Sequence, residues 1–126
     1  MEIIKTQFLD LYLIKPNAKS DFRGSFTRIF CQSLLSDLRI NFKIKQTSLA
    51  SNKKKHTLRG LHFQDKPKQE QKIVYCLKGK IWDVVVDIRK KSKSFGKWMC
   101  FELSETNKHC ILIPKGFAHG YITLTD

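Results

Sequence analysis

The second half of the chain is a succession of short apolar runs, each ended by turn-forming residues, and this pattern constrains the fold most. From residue 57 onward it predicts strands at 58–64, 72–77, 81–88, 98–103, 110–113 and 117–124. The connection Lys78-Gly79-Lys80 predicts a hairpin, and Pro114-Lys115-Gly116 predicts a turn. Many short strands with turns between them favour a β-sandwich or barrel.

The first half of the chain is less regular. We predict one or two short strands at 3–13, a loop at 16–20, and a turn leading into a strand at 21–26. Three leucines at helical spacing predict one short helix at 31–38, and 42–49 returns to strand-like alternation. A length of 126 residues is typical of one domain.

Charge and hydropathy limit the classes of partner. The chain has 24 Lys and Arg against 11 Asp and Glu, a formal charge of +13 that invites a nucleic-acid interpretation. The lysines are scattered, without an aromatic RNA-binding signature, so we favour a lysine-rich solvated surface that attracts an anionic substrate. Apolar runs are too short for a membrane helix, and 1–5 does not resemble a signal peptide. We therefore expect a cytoplasmic protein that binds neither nucleic acid nor membrane.

Strand alternation predicts that polar side chains point into the barrel. Asp83, Val85 and Asp87 share one face of their strand, and His119 shares a face of the last strand with Tyr121. A polar group in an apolar interior is costly unless it is paired or lines a site. Asp83 and His119 are therefore candidate site residues.

The stretch Leu58-Arg59-Gly60-Leu61-His62-Phe63-Gln64 carries the clearest candidate chemistry. A guanidinium such as Arg59 can hold an anion through two parallel hydrogen bonds. An imidazole such as His62 can move a proton near neutral pH. An anion grip beside a base favours an enzyme that acts on a phosphorylated or nucleotide-linked substrate.

The stretch from Pro114 to His119 has the form PxGxxH, which resembles the second sequence motif of the cupin superfamily. Many cupins bind a metal ion through an HxH pair in their first motif. The matching place here is His62-Phe63-Gln64, and an amide such as Gln64 is a poor ligand for a borderline metal. We therefore predict a site without metal or other cofactor.

Nearly the whole chain resembles the dTDP-4-dehydrorhamnose 3,5-epimerase family of cupins. The matching stretches, in chain order, are DFRGSF at 21–26, QTS at 46–48, LRGLHFQ at 58–64, Lys72, DVVVDIR at 83–89, SFGKW at 94–98 and IPKGFAHG at 113–120. The resemblance implies a mostly β fold, a cupin-type double-stranded β-helix (jelly-roll barrel) with one short helix and incomplete at its C-terminus. Residues 1–126 would form a single cupin-like epimerase domain that lacks the family's last strands.

The resemblance also implies a reaction and its residues. The substrate would be a 4-keto-6-deoxy sugar attached to dTDP, as in dTDP-rhamnose biosynthesis, with His62 as the base at carbons 3 and 5. Lys72 would steady the enolate oxygen, and Asp83 would orient His119 from behind. The positions that match substrate contacts are Arg23, Phe26, Gln46, Ser48, Arg59 and His119.

Two kinds of departure from the family leave alternatives open. The family continues past the position of Asp126 with a tyrosine acid and an aspartate partner for the base. Arg28 stands where the family has a glutamate, and Ser48 replaces an asparagine, which affects nucleotide specificity. The alternatives are a catalytically impaired nucleotide-sugar-binding protein, a deoxysugar 3,4-ketoisomerase, and a nucleic-acid-binding barrel suggested by charge alone. A homodimer is expected, because the N-terminal strands of this family cross to a second subunit.

Overall fold

The computed structural model describes residues 1–126 and contains ten strands and one helix. The elements are β1 Glu2–Lys5, β2 Tyr12–Lys15, β3 Ala18–Asp21, β4 Gly24–Thr27, α1 Gln32–Asp37, β5 Leu58–His62, β6 Lys72–Tyr75, β7 Lys80–Asp87, β8 Trp98–Ser104, β9 Cys110–Ile113 and β10 Phe117–Thr123. The first sheet has the order β1-β2-β9-β6, the second has the order β5-β10-β7-β8, and β3 and β4 form a separate hairpin. All strand pairs are antiparallel. The prediction of a mostly β chain with one short helix is confirmed.

Strand β9 lies at the centre of the packing, because it is covered on both faces. All four of its residues are buried, which explains its unbroken apolar sequence. Ile111 and Ile113 face the second sheet and join the main core, which includes Val85 and Leu103. Cys110 and Leu112 face the other way, into a smaller cluster with Leu35 of α1. The first sheet is therefore a middle layer between the second sheet and the helix.

The connection at Lys78-Gly79-Lys80 is not a hairpin, which corrects the prediction. Strand β6 pairs with β9 in the first sheet, whereas β7 pairs with β8 and β10 in the second. The three residues therefore carry the chain from one sheet to the other. Alternation identified both strands, but it contains no information about which strand pairs with which.

Two predictions in the first half of the chain are also wrong. Residues 42–49 form no strand, because Phe42 is buried in the smaller cluster while Ile44 and Leu49 are exposed and no neighbouring strand pairs with them. The predicted loop at 16–20 contains the start of β3, which pairs with β4 across a turn at Phe22 and Arg23. The predicted strand after that turn and the helix at 31–38 are confirmed. No helix is long and apolar enough to cross a membrane.

Candidate active site

The candidate site is built on three neighbouring strands of the second sheet. Strand β10 lies between β5 and β7. His119 is opposite His62 on one side and Val85 on the other, and Tyr121 is opposite Arg59 and Asp83. Directly opposed residues in a sheet share a face, so these side chains project to the same side. That side is buried at β7 and β10, where Val85, Asp83 and His119 lie, and it opens to solvent at the edge strand β5, whose residues are exposed.

Arg59 and His62 share this face although they are three residues apart. In a regular strand an odd separation places two side chains on opposite faces. Here the pairing shifts between His119 and Tyr121, so that β5 has one residue more than β10 over the same length. This is a β-bulge, and it turns the arginine and the histidine to the same side of the sheet.

Gly60 makes the bulge possible. Its φ is +94°, a conformation that L side chains rarely adopt. A Cβ at this position would lie 2.6 Å from the carbonyl oxygen of His119 and 2.7 Å from the Cα of Gly120. Gly120 in turn faces the backbone of β5, since its own Cβ would lie 2.6 Å from the carbonyl oxygen of Arg59. The two strands meet glycine against glycine, and this close approach brings the neighbouring side chains together.

Asp83 and His119 form a buried pair, which confirms that both face the interior. The distance from Asp83 Oδ2 to His119 Nε2 is 2.7 Å, and the residues are 0% and 4% exposed. Burial raises the pKa of the Asp83 carboxyl, while the hydrogen bond to His119 opposes that rise. Asp83 Oδ1 and His119 Nδ1 are buried and have no partner in the chain. The pair therefore keeps hydrogen-bonding capacity for a polar group in the site.

His62 lies next to this pair. The centres of the His62 and His119 rings are 5.9 Å apart, and the rings meet edge to face. Partial burial lowers the pKa of His62, and the charges of Lys72 and His119 lower it further, while Glu70 opposes the shift. An imidazole with a lowered pKa is neutral at pH 7, so His62 has a lone pair with which to accept a proton.

Lys72 begins β6, at the edge of the first sheet. Its Nζ lies 2.9 Å from Oε1 of Glu70, and both side chains are about one-third exposed or less. The two residues are two positions apart, the spacing that places side chains on one face of an extended chain. Glu70 is not among the residues predicted from the sequence, although its spacing from Lys72 is a signal that could reveal it.

Arg59 is held by two residues of the segment between α1 and β5 that are not among the predicted site residues. Its Nε donates to Asn52 Oδ1 at 2.8 Å, and its Nη2 donates to the Ser51 carbonyl oxygen at 3.4 Å. Asn52 Nδ2 donates in turn to Tyr121 Oη at 3.2 Å. No signal in the sequence indicated Asn52, because it lies in an irregular segment whose path follows no hydrophobic period.

The other predicted substrate contacts lie outside this cluster. Arg23 and Phe26 belong to the separate hairpin, where Arg23 pairs with Asp21 at 2.7 Å and the Phe26 side chain is exposed. Gln46 and Ser48 are exposed in the segment between α1 and β5. No hydrogen bond or ion pair of the chain joins these four residues to the strands of the site. Their assignment as substrate contacts stays a prediction.

No group of three or more His, Cys, Asp or Glu side chains is arranged to hold a metal ion. Gln64 is exposed, beyond the end of β5. The residues that the fold brings to this site provide one neutral imidazole, a buried carboxyl–imidazole pair, an ammonium group and a guanidinium.

Comparison with known proteins points to one family. Residues 5–126 match the model of the dTDP-4-dehydrorhamnose 3,5-epimerase family. The epimerases of Shigella flexneri and Escherichia coli (strain K12) are 40% and 41% identical to the chain over 127 and 129 residues. Both alignments cover 100% of the chain, which spans 70% and 68% of the lengths of these relatives.

Solved structures agree with this. The epimerase from Bacillus anthracis, with TDP and PPi bound, has a TM-score of 0.95 and 39% identity, and the match covers 98% of this chain and 71% of that one. The Legionella pneumophila epimerase, in complex with dTDP-4-keto-L-rhamnose, has a TM-score of 0.83 and 38% identity over 98% of this chain and 65% of that one. These enzymes have the cupin jelly-roll fold, so the predicted fold is confirmed. The chain belongs to the dTDP-4-dehydrorhamnose 3,5-epimerase family.

Proposed function

We propose that the chain epimerises a dTDP-linked 4-keto-6-deoxy sugar at carbons 3 and 5, as a step of dTDP-rhamnose biosynthesis, with His62 as the base. The observation that carries this proposal is the placement of His62 beside the Asp83–His119 pair, on the same face as Arg59. Family membership supports the reaction, and the geometry supports the roles. We expect the protein to work in the cytoplasm, where nucleotide-linked sugars are made.

The first chemical step is proton removal. Carbons 3 and 5 flank the 4-keto group, so loss of a proton from either gives an enolate with negative charge on oxygen. Neutral His62 accepts the proton, and its lowered pKa keeps it neutral at pH 7. Lys72 supplies a compact positive charge for the enolate oxygen. Return of a proton from solvent water to the opposite face of the same carbon inverts its configuration, and His62 releases the proton that it took to solvent.

Sugar and diphosphate are held by different groups. His119 Nδ1 is buried without a partner in the chain, which suits it to a sugar hydroxyl. Asp83 fixes the orientation of the His119 ring through Nε2. Arg59 grips the diphosphate through N–H groups that its contacts with Ser51 and Asn52 leave unused. Arg23, Phe26, Gln46 and Ser48 complete the proposed substrate contacts.

We further propose that two copies of the chain form a homodimer. The outer face of the second sheet is apolar and exposed, with Leu58, Leu61, Trp82 and Trp98 39–71% exposed. The side chains of Trp82 and Trp98 meet edge to face, with ring centres 6.5 Å apart. An exposed apolar patch of this kind is typical of an interface between proteins. The hairpin of β3 and β4, which pairs with no other strand, is a second surface free to reach a partner.

Solvent exchange tests the proposed reaction directly. The protein is incubated in D2O with dTDP-4-dehydro-6-deoxyglucose, and deuterium at carbons 3 and 5 is followed by NMR. We expect incorporation at both carbons. In His62→Asn we expect the exchange rate to fall by at least about 100-fold, since a positioned base contributes roughly this factor or more. The matched control is His56→Asn, because His56 is exposed and its φ of +62° suits asparagine.

The other outcomes separate the alternatives. No exchange in a folded sample that binds dTDP would leave a catalytically impaired nucleotide-sugar-binding protein. Exchange at carbon 3 alone would indicate a single-position epimerase, and formation of a 3-keto sugar would indicate a ketoisomerase. An unchanged exchange rate in His62→Asn would contradict the assignment of the base.

A further inference from the structure

Asn52 forms hydrogen bonds with residues of two strands of the candidate site, β5 and β10, although it lies in neither strand. Through Oδ1 it accepts a hydrogen bond from Arg59 Nε of β5, and through Nδ2 it donates one to Tyr121 Oη of β10. Asn52 is half-buried, and the preceding carbonyl, that of Ser51, accepts a further bond from Arg59 Nη2. One amide therefore ties the guanidinium to the strand that also carries His119.

The geometry fixes how the guanidinium is oriented. An arginine side chain has several rotatable bonds, and Arg59 is exposed, so an isolated Arg59 would lose much conformational freedom on gripping an anion. The bond from Nε to Asn52 fixes the last part of the side chain. Nη1 makes no hydrogen bond within the chain, so its two N–H groups are available to an anion.

We propose that Asn52 and Tyr121 are positioning residues for diphosphate binding, acting through Arg59. Asn52 orients the guanidinium, and the hydroxyl of Tyr121 holds the amide of Asn52 in the matching orientation. The group recognised is the diphosphate of the nucleotide-linked substrate. This inference rests on the proposed role of Arg59, and it assigns no contact between Asn52 and the reacting carbons.

The first test measures binding without catalysis. Dissociation constants for dTDP, inorganic pyrophosphate and thymidine are measured by calorimetry for the native chain and for Asn52→Ala. We expect the constants for dTDP and pyrophosphate to rise about tenfold, the effect of losing one hydrogen bond to a charged group. Thymidine has no phosphate, so its constant is expected to stay within about twofold. The matched control is Asn17→Ala, since Asn17 is exposed and makes no side-chain hydrogen bond.

A double-mutant cycle separates positioning from general weakening of the fold. If Asn52 acts through Arg59, then Asn52→Ala costs about tenfold in the native background and less than about twofold in Arg59→Ala. Tyr121→Phe removes only a hydroxyl and is expected to weaken dTDP binding about threefold. It also keeps the experiment decisive should Asn52→Ala fail to fold. In turnover assays Asn52→Ala is expected to raise KM and leave kcat within about twofold.

Three results would overturn the inference. They are unchanged dTDP and pyrophosphate binding in both Asn52→Ala and Tyr121→Phe, an equal loss with and without Arg59, and an equal loss for thymidine. Failure of the proposed reaction is recognised separately, because the binding constants do not depend on turnover. If Asn52 and Arg59 are coupled in diphosphate binding but the chain exchanges no deuterium, the positioning role of Asn52 stands and the proposed epimerase reaction is refuted.

Discussion

The protonation of His62 depends on residues far from it in sequence. Partial burial and the charges of Lys72 and His119 lower its pKa, and Glu70 acts in the opposite direction. Lys72 and Glu70 also pair with each other at 2.9 Å, so the charge that acts on His62 is that of a partly neutralised lysine. The motif around His62 predicted a base, but its proton affinity is set first by its partial burial and then by charges that the fold brings near it.

Exchange catalysed by His62 is therefore expected to rise with pH and to level off above a pKa lower than the ordinary value of 6.5. At lower pH the imidazole is protonated and can no longer accept the substrate proton. Glu70→Gln removes the charge that favours the protonated form, so the inflection is expected to move to lower pH. The control is Glu102→Gln, whose ion pair with Lys80 lies at the exposed end of β7. An inflection that moves upward in Glu70→Gln, or moves equally in the control, would contradict this account.

Residues on strands could be predicted from the sequence, and residues that position them could not. Strand alternation placed Asp83 and His119 in the interior, and both are there. Asn52 lies in an irregular segment, where no period indicates which way a side chain points. Its contact with Arg59 arises only once the segment has folded back across β5 and β10.

Strand pairing was predicted less well than the strands themselves. The turns after β6 and β9 both carry the chain from the first sheet to the second, although the first of them was predicted to be a hairpin. Segment 42–49 has the alternation of a strand but no partner strand. Hydrogen bonds across a sheet depend on the arrangement of the whole barrel. The order of the motifs indicated that arrangement through the resemblance to the family, whereas the local pattern of apolar residues did not.

We expect that even one added methyl group at Gly60 destabilises the bulge in β5. Gly60→Ala would place a Cβ against two backbone atoms of β10, which cannot move as a flexible side chain could. We expect a loss in free energy of unfolding of more than about 3 kcal/mol, from strain at positive φ and separation of the strands. The control is Gly96→Ala, because Gly96 has a φ of +74° with open space around it and would carry the strain alone, about 1 kcal/mol. Urea unfolding of both variants measures the difference, and equal losses would show that strand contact contributes nothing.

The molecule as a whole has two surfaces of different character on the second sheet. The inner face carries polar groups arranged for chemistry, and the outer face carries exposed tryptophans and leucines. The family and the jelly-roll fold could be predicted because many motifs occur in the right order along the chain. The use of the outer face could not be predicted, because the sequence of a strand does not distinguish apolar residues that face the core from apolar residues that face solvent.

The proposed dimer is expected to depend on this outer face. Trp98→Lys places a charge in the patch, so it should raise the dimer dissociation constant at least about tenfold, since burying an unpaired charge is costly. Leu38→Lys is the matched control, because Leu38 is 50% exposed and lies at the end of α1, outside the second sheet and outside the N-terminal strands. Sedimentation equilibrium of both variants and the native chain measures the change. A native chain that remains monomeric at all accessible concentrations would refute the dimer, and a dimer unaffected by Trp98→Lys would place its interface elsewhere.

The bulge at Gly60 also makes the interval between Arg59 and His62 part of the function. Insertion or deletion of one residue within that interval would turn one of the two side chains toward the outer face of the sheet, while both residues remained present. A relative could then match every functional residue and still have lost the shared face. Comparison of sequences in this family therefore needs to score the three-residue spacing and the intervening glycine together with the arginine and the histidine.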